Sequence, residues 1–462
     1  MKYIDENNIP SLEECLKRAD ETKELIVQKN ALEKIPGLLG KYFPSNAGVC
    51  IISDEHTEKA AGIKVREILE GSKIKIAGSH IFPGEPRLHA EYNHVKFLKD
   101  WIRSLPGWQN LIPVSVGAGT INDLVKCTSS ELNIRYLCIP TAASVDGFTP
   151  NGAALLLDGY KQTLPCPAPK AVAADSDIIA GAPAYLASSG FGDLASKIIT
   201  GTDWIIAEKA GTAGALEAPP IDEVCWTMTQ NGLLPALKNS VDAGKGDPEA
   251  IIVLFRSLAI TGFAMQYYKN SRPVSGAEHL YSHVWEMDDL SVNGVPVTHG
   301  HKVTIGTLAA TAFTEIFFAD PSGPPKVPGT YRRPSVNERR AETEAVFRNS
   351  HACEGICKTA AGKYMDNKTV DAINCLFRDS WKEIRESVYE RLVPYSELKD
   401  LLGRAGCPLQ PETISLSRSQ AIATARKAQM IRNKYCILDL AWDMGNFETI
   451  LEKMESSDIY LR

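Results

Sequence analysis

Four of the nine histidines, His279, His283, His299 and His301, fall in one stretch, EHLYSHVWEMDDLSVNGVPVTHGHKV, from Glu278 to Val303. An i, i+4 spacing sets His279 and His283 on one face of a helix over SGAEHLYSHVWEM. The turn-rich link DDLSVNGVPVTHG then leads to His299, at the start of a second helical pattern. Imidazole binds Zn, Ni, Fe and similar divalent ions, so two helices presenting one histidine each supply half a coordination shell. An isolated histidine pair is also an ordinary helix-surface feature. A third ligand is required, and SSGFGDLASK offers Asp193 among small residues that let a cation approach. Two imidazoles and one carboxylate leave a position open for a substrate oxygen.

A second kind of chemistry lies earlier in the chain. VSVGAGTINDLVK passes from a β-rich run through Gly117 and Gly119 into a helix opened by Thr120. Glycines let the backbone approach a pyrophosphate, and the unpaired N–H groups of the helix start face its charge. The spacing departs from the full GxGxxG pattern, so a purely structural turn stays open. VCIISDEHT ends a strand-like run at Asp54, where a carboxylate can accept from a ribose 2′-hydroxyl and favour NAD over NADP, or simply cap the next helix. PTAASVDGFTPNGAALLLDGYKQT places small residues around Asp146, an acid suited to a substrate pocket or to a turn.

The elements that must position these residues read in two textures. AGVCIISDE, KIKIAG, NLIPVSVGAG and IRYLCIP are strand-like runs separated by helical patterns such as RLHAEYNHVKFLKDWIRSL, which favours a parallel sheet covered on both faces. After about Ala184 helical patterns follow one another, with a Pro- and Gly-rich loop at DPSGPPKVPGTYRRPS. The expectation is therefore an α/β domain over residues 1–184 and a helical, metal-binding domain over residues 185–462.

Composition limits the partners. With 462 residues, 44% apolar and 23% charged, the chain is globular in type. A net charge of −6 offers neither a basic face for nucleic acid nor a polybasic membrane patch. The apolar run AIIVLFRSLAITGFAMQYY, interrupted by Arg256, reads as a buried helix rather than a membrane span. Eleven cysteines without a secretory leader point to reduced thiols in a cytoplasmic protein. His351, Cys353 and Cys357 lie close together, but a closed zinc site needs four ligands and no second pair is near.

VGAGTINDLVK, PTAASVDGFTPNGAALL, SGFGDLASK, SGAEHLYSHVWEM and HGHKVTIGTL, in that order, resemble the motifs of sn-glycerol-1-phosphate dehydrogenases, within the iron-containing alcohol dehydrogenase and dehydroquinate synthase-like superfamily. The resemblance runs from about Gly40 to Ala319 and returns at LDLAWDMGNFETIL. It implies an N-terminal Rossmann-like parallel-sheet dinucleotide domain and a C-terminal helical metal-binding domain. It assigns Asp193, His279 and His299 as ligands of one divalent metal (Zn, Ni or Fe), and His283 as a second active-site histidine that is not a ligand. Gly117, Gly119 and Thr120 match the pyrophosphate loop and Asp54 the ribose acid, with Asp123, Thr141 and Ser144 completing the NAD (or NADP) contacts. Asp146 falls beside the substrate and, with His283, is a candidate proton carrier.

The activity implied is reversible hydride transfer between NAD(P)(H) and a small phosphorylated substrate, with dihydroxyacetone phosphate and sn-glycerol 1-phosphate as the pair. Lys161 and Arg272 are the cationic candidates for the phosphate, beside His283 and Asp146. A homo-oligomer, dimer or larger, is expected. Two departures from the family stand out: His301 follows the HG pair, and residues 321–410 form a longer segment than usual. Rival readings keep the fold and change the chemistry: a glycerol or other polyol dehydrogenase, a dehydroquinate synthase-like cyclase, or a metal-bearing binding protein without catalysis.

Overall fold

The computed structural model describes residues 3–157 and 160–462. By internal contacts the chain falls into two compact units, one built from Pro10–Leu194 and Pro235–Asn270, the other from Met1–Ile9, Ala195–Leu234 and Ser271–Arg462.

The first unit is organised by a six-stranded parallel sheet. In chain order its strands are β1 (Glu24–Gln28), β2 (Gly48–Asp54), β3 (Ile76–Phe82), β4 (Leu111–Gly117), β5 (Leu137–Pro140) and, after a hairpin of β6 (Ala153–Leu157) and β7 (Tyr160–Leu164), β8 (Ala171–Asp175). Their order across the sheet is β1-β8-β5-β4-β2-β3. Strand β2 (GVCIISD) is buried from Gly48 to Ser53 and β4 (LIPVSVG) throughout, as parallel strands covered on both faces require. Val49, Ile51, Val114, Val116, Leu137 and Ile139 meet Ile35, Leu39, Val65 and Leu69 in the core beneath one layer of helices.

Four of the strands coincide with the runs expected from sequence, although β3 begins at Ile76, later than KIKIAG suggests. Strands β1 and β8 carried no sequence signal. ELIVQ has three apolar residues in a polar context, and AVAAD is mostly alanine, a poor strand former; both pair in register from Glu24 with Ala171 to Gln28 with Asp175.

The division of the chain departs from the expected break at 184. Helix Ala184–Ala195 continues ten residues beyond it within the sheet unit, because Gly190 lets the helix press on the loop after β5. A Cβ at Gly190 would stand 2.0 Å from the Ala143 carbonyl oxygen. Helix Pro248–Tyr268 also joins this unit: Thr149 Oγ1 donates to the Ala259 carbonyl at 2.9 Å, and Gln266 Nε2 donates to the Thr149 carbonyl. This helix is long and apolar enough to cross a membrane, yet 67% of its most apolar window is buried within the fold.

The second unit is helical. Its central helix, His299–Phe317, is buried on nearly every face, which its sequence of alanine, threonine and bulky apolar residues permits. Helix Ala277–Met287 packs along it, and helix Arg418–Met430 packs against both. Residues 318–335 contain neither helix nor strand, in keeping with their proline and glycine content. No disulfide links any of the eleven cysteines.

Candidate metal and cofactor site

Helix Ala277–Met287 begins at Gly276, where any Cβ would collide with Asp203 and Glu278 carboxylate oxygens at 2.6 and 2.8 Å. It presents His279 and, one turn on, His283, with ring centroids 6.2 Å apart. Helix His299–Phe317 starts at Thr298, whose hydroxyl accepts from the His301 N–H at 3.3 Å, and sets His299 in its first turn. The His279 and His299 rings are 5.4 Å apart, centre to centre.

Each of these two imidazoles is held by a carboxylate. His279 Nδ1 lies 2.7 Å from Glu278 Oε1, and His299 Nδ1 lies 2.7 Å from Glu286 Oε1. A carboxylate only accepts, so the ring proton sits on Nδ1 and the Nε2 lone pair is the one that can meet a cation. Burial alone would raise the Glu278 carboxyl, but the hydrogen bond and charge of His279 and the Gly276 N–H outweigh it and leave the group below its ordinary range.

Asp193 is fully buried near the end of helix Ala184–Ala195. Its Oδ2 accepts the Asp146 backbone N–H at 2.9 Å. His279 and His299 are the two expected ligands that the helical unit itself brings together, while Asp193 belongs to the sheet unit. The donor set fits a divalent cation: one carboxylate and two imidazoles, each oriented by a second hydrogen bond, with the coordination incomplete. His283 stands outside this group. Burial foremost, aided by Arg432, His279 and His299, pushes its pKa well below the usual imidazole value despite Glu286, so it is neutral.

In the sheet unit the expected cofactor residues gather at the carboxyl ends of adjacent strands. Strand β4 ends at Gly117 and runs into helix Gly119–Glu131, whose N-cap, Ala118, supplies no side-chain acceptor to the first-turn N–H groups. Both glycines are sterically required: a Cβ on Gly117 would lie 2.6 Å from Ile121 Cβ, and one on Gly119 would lie 2.9 Å from Val145 Cγ1. Thr141 donates its N–H to the Gly117 carbonyl at 3.2 Å, and the Ser144 carbonyl accepts from Ser189 Oγ at 3.3 Å. Thr120 opens the helix in its first turn.

Asp54 closes β2, where its Oδ1 accepts from His56 N at 2.9 Å and Thr57 N at 2.8 Å, so the capping role is realised. Asp123 is pushed up by burial, with Lys126 and Lys161 close enough to oppose the shift. Lys161 sits on β7 opposite Leu156.

Arg272 is placed differently from expectation. It is 4% exposed, and Nη1 and Nη2 donate to the carbonyls of Tyr435 at 2.7 Å and Asp203 at 3.2 Å. These two hydrogen bonds tie three segments of the helical unit together. Sequence reading missed Glu278 and Glu286. The available signal was helical spacing: Glu286 follows His279 by two turns, on the same face as His283.

A profile of the family described as iron-containing alcohol dehydrogenase matches residues 4–183. Among solved structures, a probable glycerol dehydrogenase from Sinorhizobium meliloti superposes with a TM-score of 0.58 at 15% identity, over 94% of this chain and 98% of the other. An iron-containing alcohol dehydrogenase from Thermotoga maritima does so with a TM-score of 0.54 at 11% identity, over 94% and 98%. The fold is thus that of the iron-containing alcohol dehydrogenases.

Two curated relatives narrow the class. A glycerol-1-phosphate dehydrogenase [NAD(P)+] of Halalkalibacterium halodurans is 31% identical over 63% of this chain and 70% of its own length. One of Bacillus velezensis is 30% identical over 74% and 80%. The chain belongs to the glycerol-1-phosphate dehydrogenase family.

Proposed function

We propose that this protein is a metal-dependent, NAD(P)-dependent oxidoreductase acting on a CH–OH group, which interconverts dihydroxyacetone phosphate and sn-glycerol 1-phosphate. The observation that supports the reading is the pair of imidazoles His279 and His299, 5.4 Å apart between ring centres, with a buried glutamate on each Nδ1; Asp193 is the third ligand assigned to the cation. When bound, a divalent cation supplies Lewis acidity at the reacting oxygen, and the nicotinamide supplies or takes the hydride.

The chain's own residues account for the rest. Gly117, Gly119 and Thr120 offer backbone N–H groups to the cofactor pyrophosphate, flanked by Asp123, Thr141 and Ser144. Asp54 faces the ribose end. His283, neutral and one turn beyond His279, is the group placed to pass a proton, with the Asp146 carboxylate the alternative. Lys161 is the cation assigned to the substrate phosphate.

The test is NADH and NADPH oxidation by the metal-loaded protein with dihydroxyacetone phosphate and with dihydroxyacetone, followed by chiral analysis of the product. Consumption of reduced cofactor with the phosphorylated ketone, yielding the sn-1 enantiomer, is expected. Turnover of dihydroxyacetone alone would point instead to a polyol dehydrogenase. Phosphate release without net cofactor oxidation would point to a cyclase.

A further inference from the structure

We infer that Glu278 and Glu286 are positioning residues that fix the tautomer, orientation and basicity of the two histidine ligands, an inference that rests on the metal reading above. The two glutamates lie on one helix, and each meets the Nδ1 of a different imidazole at 2.7 Å. Their side chains are 0% and 7% exposed. Carboxylates so deeply buried are costly unless each is hydrogen-bonded or charge-compensated.

The compensation is specific. Glu278 Oε1 also accepts from Thr200 Oγ1 at 2.9 Å and from the Gly276 N–H at 2.7 Å. Glu286 Oε1 lies 3.7 Å from Lys302 Nζ, one turn along the helix that carries His299. Both carboxylates are therefore fixed before any cation arrives, and both direct an Nδ1 proton away from the coordination point. An anionic acceptor at Nδ1 makes Nε2 a stronger donor to a metal, and removing such a partner lowers metal affinity without touching a ligand. The two glutamates gather negative charge around the imidazoles, which a divalent cation neutralises.

The two brackets differ in a way that can be measured. Glu278 is anchored by Thr200 on another helix and by the Gly276 N–H at the start of its own, so its loss disturbs packing as well as the ring. Glu286 meets His299 Nδ1 at 2.7 Å and Lys302 Nζ at 3.7 Å, so its loss acts directly on His299. An amide at 286 still accepts the Nδ1 proton but lacks the charge, which separates orientation from basicity.

The experiment uses the full chain stripped of metal, titrated with Zn2+ against a chromophoric chelator and with Co2+ followed by visible absorption, alongside thermal melts of the metal-free form. Wild type should bind one equivalent. Glu286→Ala should bind roughly 10- to 100-fold more weakly, Glu286→Gln by an intermediate factor, and both should show a shifted Co2+ spectrum while still melting cooperatively without metal. Glu278→Gln should also weaken binding, with a lower melting temperature as well. If Glu286→Ala and Glu286→Gln bind Zn2+ as tightly as wild type and give its Co2+ spectrum, the positioning role is overturned while the metal site stands. If wild type binds no stoichiometric metal, or His279→Ala binds as wild type does, the metal reading itself fails.

Discussion

The backbone N–H of Asp146 donates to Oδ2 of Asp193 at 2.9 Å, tying the loop after β5 to helix Ala184–Ala195. The main chain of Asp146 thus helps to hold the Asp193 carboxylate in place. The hydrogen bond survives a change of Asp193 to Asn only if the amide presents its oxygen, and the negative charge is lost in either case. Asp193→Asn should therefore keep the fold, lose stoichiometric metal and lower kcat/KM by about a thousandfold, equivalent to roughly 4 kcal/mol of transition-state stabilisation. Metal content by elemental analysis and circular dichroism on one preparation check both halves.

Gly190 is the contact on which that loop rests. With the Ala143 carbonyl 2.0 Å from where a Cβ would stand, the backbone must move to admit even a methyl group. Gly190→Ala should cost about 1–3 kcal/mol of stability, and it should weaken cofactor binding because Thr141 and Ser144 lie in the displaced loop. Chemical denaturation and NADH fluorescence titration measure the two effects; an unchanged midpoint with unchanged affinity would contradict the packing argument.

Asp54 combines two tasks that substitution can separate. Its Oδ1 caps the turn at His56 and Thr57, and its charge is the feature that would repel a 2′-phosphate. Asp54→Ser keeps an N-cap oxygen and removes the charge, so the NADPH to NADH preference should rise about tenfold, or roughly 1.4 kcal/mol, at nearly constant stability. Asp54→Ala should give the same shift in preference and cost about 1 kcal/mol from the lost cap. Steady-state kinetics with both cofactors, beside thermal melts, distinguishes the roles.

His80, on edge strand β3, is enclosed by Phe82, Phe97 and Trp101 at ring-centroid distances of 4.5, 4.8 and 5.6 Å. Burial first, and His94 second, lower its pKa from the usual 6.5. The unfolded chain therefore takes up the proton more readily than the folded one, so stability is full above about pH 6.5 and falls as pH drops through the depressed folded value. His80→Phe should flatten this acid-side loss without altering stability at pH 8 by the same amount. Urea melts of both proteins across pH 5 to 8 provide the comparison.

What could be read in the chain alone was whatever depends on neighbours a few residues away. The histidine face of helix Ala277–Met287 follows from a 3.6-residue period, the Gly117–Gly119 turn from its position between a β-rich run and a helix, and the loop before Val336 from its prolines. Strands β1 and β8 escaped because ELIVQ and AVAAD have little strand preference of their own and acquire it by pairing with each other, β8 also with β5. The placement of Arg272 escaped for a related reason: nothing in RPVSG indicates that the carbonyls of Tyr435 and Asp203 will meet its guanidinium.

The site divides along the same line. The residue types of Asp193, His279 and His299 were set by sequence, together with the metal chemistry such types allow. That the His279 and His299 rings come within 5.4 Å of each other was decided by tertiary packing, as were the glutamates at both Nδ1 atoms and the amide of Asp146 on Asp193. Local periodicity specifies which face of a helix a side chain occupies, but its distance to a residue on another element is set by close packing of cores.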